Sequence, residues 1–157
     1  MVKDLSDLLN GGPVLTGLPC TSAKQVFSRL SDALSSMAGL SGREILHAIL
    51  EREQLGSTAV GHGVVLPHAR LQGLSTPIGG FASLSTPIDF DAVDEQPCDL
   101  VFMLLAPDGA GADHLRALAK IARVMRQPEL RAALRSASGE EEIRQILCRN
   151  NLASSAA

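Results

Sequence analysis

The chain has 157 residues, is 45% hydrophobic and carries a formal net charge of −3. That length and apolar content suit one domain around a single core and exclude a disordered chain. The sequence has no basic stripe and four Phe but no Trp or Tyr, which argues against nucleic-acid binding and requires a largely aliphatic core.

In chain order, a short amphipathic helix is expected over Leu5–Leu9, stopped by Gly11-Gly12-Pro13, with a short strand near Val14–Thr16. Ala23, Val26, Phe27, Leu30, Ala33, Leu34 and Met37 recur at helical spacing, and Gly39 supplies the stop. Ser41-Gly42-Arg43-Glu44 reads as a capping box for the next helix. That helix would bury Ile45, Leu46 and Ile49 and end at Gly56. Strands are expected at Thr58–Val60, Val64–Leu66, Ile78–Leu84 and Asp99–Ala106. The last is a continuous apolar run, as in a central strand covered on both faces.

Pro107–Ala112 reads as a mobile loop, after which Asp113 is expected to N-cap a helix bearing Leu115, Leu118, Ala119, Ala122 and Met125. Pro128 suits the first turn of a further helix. Ser138-Gly139-Glu140-Glu141 would cap a last one to about Leu147, leaving a frayed tail over 151–157. The Leu-Ser-Thr-Pro-Ile sequence at 74–78 recurs at 84–88; two copies make no solenoid and read as turns bracketing one strand. The order predicts one α/β domain over 1–157, a small mixed β-sheet flanked by α-helices.

Cys20, Cys98 and Cys148 are widely spaced and form no C-x-x-C, a pattern expected of reduced thiols. Residues 1–20 do not make a signal-peptide core, and no apolar run reaches transmembrane length. A cytoplasmic protein without membrane insertion is the expectation.

The segment Gly56-Ser57-Thr58-Ala59-Val60-Gly61-His62-Gly63-Val64-Val65-Leu66-Pro67-His68 reads as a strand, a glycine-flanked turn and a second strand that delivers one imidazole after a proline. By local chemistry alone His68 is either a nucleophile or a ring that ends a strand with a backbone hydrogen bond. The segment, extended to Ala69, resembles the phosphohistidine region of the fructose/mannitol class of IIA proteins of the phosphoenolpyruvate-dependent phosphotransferase system. The resemblance continues through Ala48–Glu53, Thr86–Asp94, Pro97–Phe102 and the His114-Leu115 pair, and so spans most of the chain.

The resemblance implies that His68 is the phosphoryl acceptor, that His114 is the second active-site histidine and that Arg52 is the site's arginine. A neutral His114 in a first helical turn can donate one hydrogen bond to a phosphoryl oxygen, and Arg52 can fork onto two. Without the resemblance, His114 reads first as a surface histidine at a helix start, and Arg52 as a cation favoured at a helix C-terminus. Ser57 and Thr58 offer hydroxyls or amides to the phosphate or simply start a strand. His62, standing where the family usually has asparagine, can still donate a hydrogen bond there. Ala69 replaces the usual glycine and is strained by roughly 1 kcal/mol if that position needs φ above zero. Asp89, Asp91, Asp94 and Glu95 form an acidic loop that either meets a basic partner or is merely solvated.

A free-standing domain of this kind is most similar to the nitrogen-regulatory members of the class. It is expected to accept phosphate from a histidine-phosphorylated small carrier protein and, by resemblance, to regulate targets such as potassium-transport or kinase proteins. The alternatives are a sugar-transport IIA that passes phosphate to a IIB domain and a binding module that is not phosphorylated. A three-imidazole metal hydrolase using His62, His68 and His114 is disfavoured, because His62 and His68 lack helical i, i+4 spacing. No phosphate-loop motif surrounds Gly109 and Gly111, and no cofactor or metal is predicted.

Overall fold

The apolar run near residue 100 forms the axis of the protein. In the computed structural model, which describes residues 5–156, with side chains to residue 148, the elements follow in one order. They are α1 (Leu5–Leu9), β1 (Val14–Leu18), α2 (Ala23–Ala38), α3 (Gly42–Gln54), β2 (Ala59–Gly61), β3 (Val64–Val65) and β4 (His68–Leu71), then β5 (Ile78–Ile88), β6 (Cys98–Pro107), α4 (Gly111–Met125), α5 (Pro128–Ser136) and α6 (Glu140–Ala156). The strands form one mixed six-stranded sheet in the order β1-β5-β6-β3-β2, with β4 also pairing β6. β5 and β6 are antiparallel, whereas β3 and β4 both run parallel to β6, on successive stretches of it.

β6 is apolar from Leu100 to Ala106 because both of its faces are covered there. Val101, Met103 and Leu105 pack with α2 and α3 through Leu30, Leu34, Ile45 and Ile49. Leu100, Phe102 and Leu104 pack on the other face with α1, α4, α5 and α6 through Leu8, Ile121, Leu130 and Ile146.

Local chemistry sets several element ends as expected. Gly39, in the left-handed region, closes α2 with its N–H on the Ser35 carbonyl. The capping box of α3 is complete, with Ser41 accepting from the Glu44 amide and the Glu44 side chain accepting from the Ser41 amide. Pro128 opens α5.

Other expectations are corrected. α4 begins at Gly111 with Ala110 at its N-cap, and no side chain caps it. Asp113 lies within the first turn and pairs with Arg116, while the amides of Asp113 and His114 both donate to the Ala110 carbonyl. The loop after β6 is correspondingly short. Ser138 is tied to Glu142 rather than Glu141. Leu46 is only partly buried, unlike Ile45 and Ile49. α6 extends through Ala156, into the segment expected to fray over 151–157; Ala157 lies outside the described residues. The second Thr-Pro copy lies inside β5, where the β5–β6 register shifts between Ser83 and Ile88.

Candidate functional site

Three element ends converge on His68. The residue opens β4, a strand the sequence pattern did not predict, and sits opposite Leu104 of β6. Val65 ends β3 only three residues earlier, and Pro67 contributes its carbonyl to the Leu104 amide. The ring is therefore carried between two strands laid end to end along one rigid partner.

Two contacts define the chemistry of the ring. Its Nδ1 lies 2.9 Å from the Leu66 carbonyl, an acceptor only, so Nδ1 carries the proton. Arg52 Nε donates to Nε2 at 3.3 Å, which requires a lone pair there. His68 is thus a neutral Nδ1–H imidazole with its nucleophilic pair on Nε2. Burial pushes its pKa below the usual histidine value, and the Arg52 guanidinium pushes the same way, against the Leu66 bond and the Glu53 carboxylate.

His114, in the first turns of α4, stacks at a tilt against this ring, with centroids 5.3 Å apart. It is 7% exposed, and its Nδ1 has no hydrogen-bond partner. Burial, then the neighbouring His68 and Arg70, lower its pKa to about 4. A neutral ring at this place is what the helix start implied, although burial rather than the helix end is the larger cause.

Arg52 sits in the last turn of α3. Besides its contact with His68 it donates from Nη1 to the Gly56 carbonyl at 3.0 Å, so Nη2 stays available. Ser57 donates to the Phe90 carbonyl at 2.5 Å and accepts from the Ala59 amide. Thr58 is buried, and its hydroxyl and amide both donate to the Glu53 carboxylate. Ser57 and Thr58 line the cleft beside His68, but both hydroxyls already hold the backbone in place.

His62 is elsewhere. Gly61, His62 and Gly63 all have positive φ, at 96°, 58° and 80°, in the turn between β2 and β3. The Gly63 carbonyl accepts from the Asp99 and Leu100 amides, five residues along β6 from Leu104, or roughly 16 Å. His62 is held there by its amide on Asp94 and by its carbonyl, which accepts from Arg135. His62, expected among the phosphate contacts, stands six residues before His68 in sequence, and β3 carries the two apart. The same separation sets His62 apart from the His68–His114 pair. Positive φ also explains the asparagine usual at this position, since Asn and His tolerate the left-handed region better than most residues. Ala69 is extended in β4, paired with Leu105, and is not among the positive-φ residues, so the strain considered for it does not arise.

Glu53 faces the site rather than away from it, which sequence spacing on α3 did not reveal. Arg70, two residues after His68 on the same strand face, was also missed; a His-x-Arg spacing on a strand was the available signal. A cleft of about 340 Å³ adjoins His68, walled by Ala59, Val60, Leu66, Leu118, Ala119 and Ala122.

The mixed sheet and its flanking helices are those of the IIA fold. The family described as "Phosphoenolpyruvate-dependent sugar phosphotransferase system, EIIA 2" matches residues 7–150, and the chain belongs to it. Within that family it is similar to the nitrogen regulatory protein of Bradyrhizobium diazoefficiens, at 43% identity over 91% of this chain and 94% of that one. The crystal structure of the nitrogen regulatory protein IIA-Ntr from Neisseria meningitidis superposes with a TM-score of 0.81 at 36% identity, over 85% of this chain and 91% of that one. The mannitol IIA of Escherichia coli shares the fold, with a TM-score of 0.72 at 14% identity over 85% and 94%. No helix among the described residues is long and apolar enough to cross a membrane.

Proposed function

We propose that the protein accepts a phosphoryl group on Nε2 of His68 from a histidine-phosphorylated small carrier protein, and that its phosphorylation state selects its regulatory partners. The observation that carries this reading is the pair of hydrogen bonds on the ring, Nδ1–H to Leu66 and Arg52 to Nε2. Together they leave a single nucleophilic nitrogen in a neutral ring near pH 7.

In the transfer step the carrier's N–P bond breaks as an Nε2–P bond forms in line with it. The electron pair of the broken bond stays on the carrier's nitrogen, and no proton has to leave His68 from Nε2. Arg52 moves from the lone pair onto the equatorial oxygens with its donors Nε and Nη2. His114 donates one ring N–H to a further oxygen from a buried position where water competes poorly. The exposed Val60, in the cleft with His68, and Leu115, next to His114, give the neighbourhood of the ring an apolar rim suited to a protein donor rather than a small molecule.

Phosphate then adds a charge of about −1.5 to −2 to this rim. A partner with acidic groups facing the arginines binds the unmodified form better, and one with basic groups binds the phosphorylated form better. Control of nitrogen or potassium physiology through such partners is the role the resemblance suggests. His62 and Ala69 leave the acceptor nitrogen untouched, which favours turnover over a silent binding module.

The test is the intact mass of wild-type protein and His68→Ala after incubation with phosphoenolpyruvate, the general first enzyme and the small carrier. An acid-labile phosphate gained only by the wild type supports the reading. Phosphate gained by His68→Ala, or by neither protein while the carrier is phosphorylated, overturns it.

A further inference from the structure

The end of α3 and the segment 56–58 are latched to each other by two adjacent residues of opposite charge. Arg52 donates to the Gly56 carbonyl, and Glu53 accepts from both the amide and the hydroxyl of Thr58. Ser57, between them, is tied to the Phe90 carbonyl, and the Phe90 ring packs edge-on against Phe27 of α2 at 5.7 Å. α3 itself stops at Gln54, and Gly56 has a φ of 146°. The position of the Gly56 carbonyl, and with it the anchor of Arg52, therefore depends on what holds Thr58. Thr58 is 6% exposed, and the Glu53 carboxylate is the acceptor for its hydroxyl.

We propose that Glu53 is a positioning residue for phosphoryl transfer at His68, acting through Thr58 to hold Arg52 on the acceptor ring. This rests on the reading of His68 as the acceptor and deepens it. Arg52 must present a planar fork at a fixed place, and its long side chain has many rotamers. The Gly56 carbonyl selects one of them, and the Glu53–Thr58 clasp fixes that carbonyl. Thr58 is then a latch for the arginine rather than a phosphate ligand. The same carboxylate also biases the His68 ring directly, since its charge favours the protonated form.

The test uses the full chain as wild type, Thr58→Val, Thr58→Ser and Glu53→Gln. Two quantities are read: the initial rate of phosphate gain from the phosphorylated small carrier, and the solvent exchange of the Arg52 Nε–H by ¹⁵N NMR. Thr58→Val, which keeps shape and loses the hydroxyl, is expected to slow transfer about 10–100-fold and to speed exchange of the Arg52 Nε–H. Thr58→Ser restores most of both. Glu53→Gln slows transfer less and lowers the His68 titration midpoint, because the charge that favours the protonated ring is gone.

Wild-type rates and Arg52 exchange in a folded Thr58→Val overturn the proposal. So does Thr58→Ser as slow as Thr58→Val with Arg52 exchange unmoved in both. If Thr58→Val does not fold, Glu53→Gln decides: an unchanged rate and His68 midpoint overturn it. If the wild type takes no phosphate, the acceptor reading fails, while Arg52 exchange and the His68 midpoint still report on the clasp.

Discussion

Burial favours the neutral form of the two facing imidazoles of His68 and His114, and the His68 ring further disfavours a charge on His114. In the unfolded chain His114 titrates at about 6.5, against about 4 in the folded protein. Between those values the unfolded state binds more protons, so stability falls as pH drops through the window and is regained as it rises. The His114 contribution is on the order of 3 kcal/mol, and the lowered His68 value adds in the same direction. Urea unfolding across this window should show the slope, and His114→Gln should flatten most of it; an unaltered slope would refute the assignment. Arg52→Lys keeps the charge but loses the planar fork, and transfer to His68 should slow roughly tenfold or more. A rate equal to wild type would show that Arg52 acts only as a point charge.

At the scale of elements, what was legible in the sequence was what local chemistry decides. The α3 capping box lies within four residues, and both of its hydrogen bonds are present. Ser41→Ala should therefore cost about 1 kcal/mol, seen as a lower urea midpoint with phosphate acceptance unchanged. The apolar run of β6 announced a strand covered on both faces. β4 was not legible, because His68–Leu71 is too short for its period-two pattern to stand out and exists by pairing with the far half of β6. Burial lowers the His114 pKa in the direction a helix start was expected to give, but the capping role of Asp113 was misread, since a carboxylate near a helix start can pair with Arg116 instead. The turn at 61–63 shows the same limit in space. Gly63→Ala would place a Cβ 2.5 Å from Arg135 Nη2 at a φ of 80°, a combination expected to cost about 2 kcal/mol. Side chains that lie together were anticipated where motifs name them, as with His68, His114 and Arg52. They were missed where a contact depends on how the chain turns, as with Glu53 on Thr58.

Across the whole molecule, the site gathers the end of α3, the junction of β3 and β4 and the start of α4, which the sheet holds at fixed spacing. That rigidity suits the proposed function, in which the ring is met in line by a partner protein and the new charge is read at the surface without refolding. The most direct measurement is long-range ¹H–¹⁵N NMR of the imidazoles after phosphorylation through phosphoenolpyruvate, the general first enzyme and the small carrier. The account predicts a phosphorus bonded to Nε2 of His68, with Nδ1 still protonated on the Leu66 carbonyl. Phosphate on Nδ1 of His68, or on His62 or His114, would contradict it.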